Sequence, residues 1–202
     1  MAKEMTGKRC AAILSVAIFV VFLLTMGQIA RAQQTGALGA GIDAGLLVKA
    51  NGGDAAAQVS VGESYQAGNG VPRDLQQAAV WYQKAADKNN LSGELHIAAL
   101  YRDGGKGFAR DMTQAAVWFQ KAADQGDVEA EATMGTLYSM GQGVQQNYAE
   151  AYYWLDLAAA VKGPKQEMYA AHRQMMGEHI TADELDLVQQ RAATWKAAHP
   201  RG

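Results

Sequence analysis

Apolar and polar positions along this chain fall into blocks, and one block recurs. Between residues 54 and 163 apolar residues run at helical spacing, break at a glycine-rich stretch, and resume before a short polar turn. In the first copy Ala57, Val61 and Tyr65 stand at i, i+4 and i+8, one stripe of a 3.6-residue helix. After the break, Leu75, Ala78, Trp81, Tyr82, Ala85 and Ala86 share one face, with Gln76, Gln83, Lys84 and Asp87 opposite. Each block therefore predicts two amphipathic helices.

The blocks are copies at 54–90, 91–127 and 128–163. Tyr65, Tyr101 and Tyr138 stand 36 and 37 residues apart, and Trp81, Trp118 and Trp154 stand 37 and 36 apart. Self-similarity at that period predicts an all-α solenoid of antiparallel helix pairs, about three full repeats plus caps. The punctuation agrees. Asp54, Asn90 and Asp127 stand where the first helix needs an N-cap. Gly68, Gly104/Gly105 and Gly141 end it, because glycine enters the left-handed region without a Cβ penalty. The second helix opens with Asp74-x-x-Gln77, Asp111-x-x-Gln114 and Asn147-x-x-Glu150, which predicts a capping box in each copy. Small residues at Gly62, Ala98 and Gly135 allow close helix approach, and the aromatic series is read as core. Residues 43–53 look like the end of a repeat and are read as a half-repeat cap. Residues 164–200 drop the glycine loop and are read as a C-terminal helical cap, its last helix opened by Thr181-x-x-Glu184 and running through Trp195.

The amino terminus changes the picture of where the repeats work. Lys3, Lys8 and Arg9 precede an uncharged apolar run from Cys10 to Ala30, and Ala30-Arg31-Ala32 offers small residues before a cut between Ala32 and Gln33. Residues 1–32 are thus expected to be a signal peptide. The alternative is a retained membrane anchor, since the run is as long as the roughly 20 residues that cross a bilayer. Either way the basic cluster stays inside and the repeats lie outside the cytoplasm, so the chain is expected to be exported, periplasmic or secreted. Residues 33–42 lack periodicity and are read as a flexible tether.

Composition adds exclusions. The chain is 49% hydrophobic and 19% charged, ordinary for a globular protein. Residues 1–32 carry four basic residues and one acidic, so cleavage would take the net charge from −2 to about −5. That acidity argues against a nucleic-acid partner. Cys10 is the single cysteine, so the cleaved chain would have no thiol to act as nucleophile, ligand or disulfide.

The pattern Gly62-x-x-Tyr65-x-x-Gly68-x-Gly70-Val71-x-x-Asp74-x-x-x-Ala78-x-x-Trp81-x-x-x-Ala85-Ala86 resembles the Sel-one-like repeat family, a branch of the tetratricopeptide-like helical repeats. The third copy keeps Gly135, Tyr138, Gly141, Gly143, Val144, Ala151, Trp154 and Ala158-Ala159. The second carries an extra loop residue across 104–107 and Ala98 in place of glycine. The resemblance implies a right-handed α-solenoid whose first helices line a concave surface that binds a protein or peptide. The first-helix positions turned away from the Ala57/Val61/Tyr65 stripe then become candidate partner contacts: Val59, Leu95 and Ala132; Glu63, Ala99 and Thr136; Gln66, Arg102 and Ser139. Packing between repeats is the rival role for Val59 and Leu95.

Catalytic and cofactor readings find little support. The glycine breaks follow helices, whereas a nucleotide loop follows a strand and ends in Lys-Ser/Thr. His172 and His179, with Glu178 nearby, lack the third convergent ligand a zinc site needs. His96 takes the slot of Ser60 and Thr133 and is expected to face solvent. Secreted relatives credited with hydrolysing β-lactams pair a cysteine within each repeat, and this chain does not. A non-catalytic scaffold without metal or cofactor is the expectation, with an envelope hydrolase of unrecognised active site as the alternative.

Overall fold

The structure, a computed structural model, describes residues 41–200. The expected leader, its cleavage point at Ala32/Gln33 and nearly all of the tether lie outside the described residues. Helix α1 (Ala44–Asn51) is the half-unit. Three pairs follow: α2 (Ala55–Ala67) with α3 (Leu75–Ala86), α4 (Leu91–Asp103) with α5 (Met112–Asp124), and α6 (Val128–Met140) with α7 (Tyr148–Ala159). Helices α8 (Gln166–Gly177) and α9 (Ala182–Ala198) close the chain. Each helix packs on the next through α8, the order of a solenoid. Ile42, placed in the tether by composition, is buried.

The first-helix caps form as the sequence predicts. Asp54, Asn90 and Asp127 accept from the backbone N–H of Ala57, Gly93 and Ala130 at 2.8–2.9 Å. Asp74 and Asp111 each accept from two N–H groups of α3 and α5, and Asn147 from one of α7. The reciprocal half of the expected capping box does not form at these three helices. The N-cap N–H that Gln77, Gln114 or Glu150 would accept is already used: Asp74, Asp111 and Asn147 donate it to the carbonyls of Tyr65, Tyr101 and Tyr138 at 2.8–3.0 Å. That bond ties the start of each second helix to the end of its first. The complete box occurs at α9, between Thr181 and Glu184.

The core runs the length of the stack. Trp81, Trp118 and Trp154 are buried, as is the Ala57/Val61/Tyr65 stripe. The small-residue row has a specific partner. A Cβ at Gly62 would come within 2.6 Å of the Tyr82 ring, and one at Gly135 within 2.6 Å of Leu155. The second-helix side chain at 82 or 155 therefore fills the gap that the glycine opens.

The last two helices depart from the repeat. Helix α8 packs on α7 as a fourth first helix would, but α9 packs on α7 as well rather than along α8. Its Val188 and Ala192 are buried there, and it continues past Trp195 to Ala198.

Candidate binding surface

The candidate partner contacts all sit on α2, α4 and α6, but they do not share one environment. Val59 and Ala132 are 7% and 8% exposed, and Leu95 packs partly into the core. Ala132 belongs to a cluster with Ala158, Ala159 and Tyr169, so this register position faces the following unit. A helix inside a solenoid is buried on two sides, whereas the angular reading from the sequence treats it as buried on one. Glu63, Arg102 and Thr136 are exposed, and Gln66, Ala99 and Ser139 are half-buried.

The exposed residues form two patches. In the first, the His96 ring stacks on Tyr82 at 4.8 Å and its Nε2 lies 3.3 Å from a carboxylate oxygen of Glu63. The Tyr82 hydroxyl donates to Gln66 Oε1 at 2.5 Å. Burial, and then the Glu63 charge, push that phenol well above its ordinary range, so it stays protonated. His96 is thus a seam residue between the first two repeats rather than the solvent-facing side chain its slot suggested.

The second patch is a pocket of about 560 Å³ between α4 and α6. Arg102, Asp103, Arg110, Met112, Thr133, Thr136, Leu137 and Gln142 line it, which brings together two of the candidate contacts, Arg102 and Thr136. Arg102 donates to both carboxylate oxygens of Asp103 at 2.7 and 3.0 Å. Those bonds hold the Asp103 carboxyl below the usual carboxylate range, so it stays ionised. Two guanidiniums against one carboxylate leave the pocket locally positive on an acidic chain.

Arg110 escapes a sequence reading confined to helix faces. In the first repeat Arg73 Nε donates to the Gln66 carbonyl, and in the third Gln146 Nε2 donates to the Ser139 carbonyl, at 2.9 and 2.7 Å. Arg110 holds the same place before its N-cap, yet no such bond reaches Arg102. The intervening loop has the extra residue, and Gly105 and Phe108 exchange backbone hydrogen bonds across it. The signal available in the sequence is that extra residue in 104–107.

Among the described residues no group of three or more His, Cys, Asp or Glu is placed to hold a metal ion, and no helix is long and apolar enough to cross a membrane. The helices stack in consecutive antiparallel pairs, the architecture of an α-solenoid. The chain belongs to the Sel1 repeat family: the Sel1 repeat model matches residues 55–90, 93–127 and 128–160, just over half of its length.

Two solved structures are similar. A Sel1 repeat protein from Oxalobacter formigenes is 28% identical, with a TM-score of 0.54 over 61% of this chain and 92% of that one. The protein c5321, a protective antigen of uropathogenic Escherichia coli strains with an SLR fold, is 20% identical over 75% of this chain and 47% of its own, with a TM-score of 0.40. No curated protein matches the chain. Sel1 repeat proteins are in general protein-interaction scaffolds.

Proposed function

We propose that the chain is a non-catalytic scaffold, exported to the cell envelope or extracellular space, that holds a protein segment along the exposed side of its first helices. The observation that carries this reading is the pocket between α4 and α6. Arg110 makes none of the backbone bonds of its counterparts and stands with Arg102 at a cavity of about 560 Å³. Thr133, Thr136 and Gln142 add polar groups, and Met112 and Leu137 add apolar wall. A segment presenting a carboxylate to the arginines and a small apolar side chain to the wall fits that lining, because guanidinium pairs with carboxylate through two parallel hydrogen bonds. The Glu63–His96 patch lies between α2 and α4 and would take the continuation of the segment. Export rests on the leader-like residues 1–32.

The test is capture from an envelope extract with the intact chain and with Arg102→Ala plus Arg110→Ala, read by quantitative mass spectrometry. A partner held by the pocket should fall at least about tenfold, the loss expected from removing buried charge-assisted bonds. Equal recovery of every partner by both proteins would sink the pocket assignment. Amino-terminal sequencing of the exported form should begin at Gln33, and a cytoplasmic, uncut chain would overturn the location.

A further inference from the structure

Helix α8 carries two rows of side chains at the same spacing, and one of them is explained by packing. Tyr169, Arg173 and Met176 stand at i, i+4 and i+7 and face the body of the protein. Tyr169 is buried and donates its hydroxyl to Glu129, Arg173 pairs with Asp156 at 2.7 Å, and Met176 packs against the core. The other row is Met168, His172 and Met175, again at i, i+4 and i+7. It faces solvent: Met168 and Met175 are 45% and 54% exposed, and His172 is exposed between them. Apolar thioethers gain nothing there from burial.

The histidines sharpen the contrast. His96 stacks on Tyr82, His179 on Tyr148 and His199 on Trp195. His172, the fourth, makes no ring contact, hydrogen bond or ion pair among the described residues. It has a methionine on the same face one turn to either side. Residues three and four apart on a helix are neighbours, so Met168 and Met175 flank His172 on one face. The three Cα atoms span roughly 10.5 Å of axis, within reach of two thioether arms converging on a central imidazole. The cations nearest in sequence pair elsewhere, Lys165 with Glu129 and Arg173 with Asp156.

We propose that Met168, His172 and Met175 form a surface site for a soft monovalent metal ion, Cu(I), bound by two thioether sulfurs and one neutral imidazole nitrogen. Thioether ligands select Cu(I) over the harder divalent ions, which take carboxylate, carbonyl and water. Thioethers bind without losing a proton. The site lies apart from the α4/α6 pocket and is independent of the scaffold reading.

The test uses the full chain carrying Cys10→Ser, which removes the one competing thiol, with methionine methyl groups labelled for NMR. Cu(I) is added anaerobically against a colorimetric chelator. One equivalent should shift the Met168 and Met175 methyl signals and leave the core Met134 signal in place. Met168→Leu, Met175→Leu and His172→Gln should each weaken binding about tenfold or more, since even an outer-shell partner is worth about that much. All three positions are exposed, so circular dichroism should be unchanged. If the Met168 and Met175 signals stay still at one equivalent, or the triple variant takes up as much ion as the parent, the proposal is overturned. Displacement of Cu(I) by an equal concentration of Zn(II) would overturn it too, since that marks a site without thioether selectivity.

Discussion

Helices α5 and α7 occupy the same place in successive repeats, yet their outer faces have opposite fates. On α5 the outward positions are Gln114, Val117, Gln120 and Lys121, and on α3 they are Gln77, Val80, Gln83 and Lys84. Val80 and Val117 stay 48% and 46% exposed. The lysines lie over the tryptophan rings, with Lys84 Nζ 3.8 Å from Trp81 and Lys121 Nζ 3.9 Å from Trp118, their stems covering apolar surface. On α7 the same positions read Glu150, Tyr153, Asp156 and Leu157, and α9 lies across them. Tyr153 and Leu157 are 5% and 0% exposed. Arg191 of α9 donates to both oxygens of Glu150 at 2.6 Å and sits 3.6 Å from the Tyr153 ring. Asp156 accepts from Arg173 of α8 and Lys196 of α9 at 2.7 and 2.6 Å. The array ends by rewriting four positions of its last second helix so that a terminal helix can dock on them. The same register left polar keeps the earlier repeats open.

The largest expected effect comes from exchanging the residues that separate the two faces. Leu157→Lys puts an ammonium under α9 where no carboxylate is spare, since Asp156 already serves two cations. The cost should be about 3 kcal/mol or more, which for a chain of this size lowers the melting temperature by roughly 6–12 °C. Lys121→Leu, the reverse exchange on the open face, should change stability by no more than about 0.5 kcal/mol. Equal effects of the two substitutions in thermal melting would break the comparison.

Next in size is Asp156→Ala. It leaves Arg173 and Lys196 without their shared acceptor at the meeting point of α7, α8 and α9. Both cations are about a third exposed, so water recovers part of the loss, and about 2 kcal/mol is expected rather than the larger cost of a fully buried pair. Gln120→Ala at the matching position of α5 removes an exposed bond to Asp124 and should cost about 0.5 kcal/mol or less. Urea denaturation measures both, and hydrogen exchange in Asp156→Ala should rise first in α9.

The repeat frame was legible in the sequence because it is built from recurring positions: the N-caps, the helix-ending glycines with positive φ and the buried tryptophans each occur three times in register, although Gly104, in the longer loop, is extended in ψ where Gly68 and Gly141 are αL. The terminal docking was not. Tyr153, Asp156 and Leu157 read as ordinary variation within one helix, and their meaning depends on a partner 30 to 40 residues away. The candidate surface mixes two environments. Angular spacing chose Arg102 and Thr136, which are exposed at the α4/α6 pocket, and also Val59 and Ala132, which are buried, the rival packing role already open for Val59. Arg110 belonged to a loop whose extra residue frees it from the backbone bond of its counterparts, which no helical periodicity reports.

The smallest effect tests two of the buried carboxylates, Asp156 and Glu94, against each other. Asp156, beneath α9, has two cations. Glu94, in the open middle repeat, is 1% exposed and has an amide, Gln125, donating to it at 2.7 Å. Burial raises the Glu94 carboxyl above its ordinary range, opposed by that bond and by the more distant Lys121. A carboxyl raised in the folded state favours folding most below its unfolded value, near about pH 4. The advantage is lost as pH climbs through the raised folded value. Gln58 occupies the matching position of the first repeat as a neutral amide and donates to the Ala50 carbonyl at 3.0 Å, so the frame accepts an amide there. Glu94→Gln should therefore match the parent's stability near pH 4 and exceed it at pH 7 by up to about 1 kcal/mol, the scale of relieving a poorly solvated polar group. Asp156→Asn should go the other way at pH 7, because it removes charge from a paired site. A Glu94→Gln protein less stable than the parent at pH 7 in urea titration would show that this carboxylate is as well paired as Asp156.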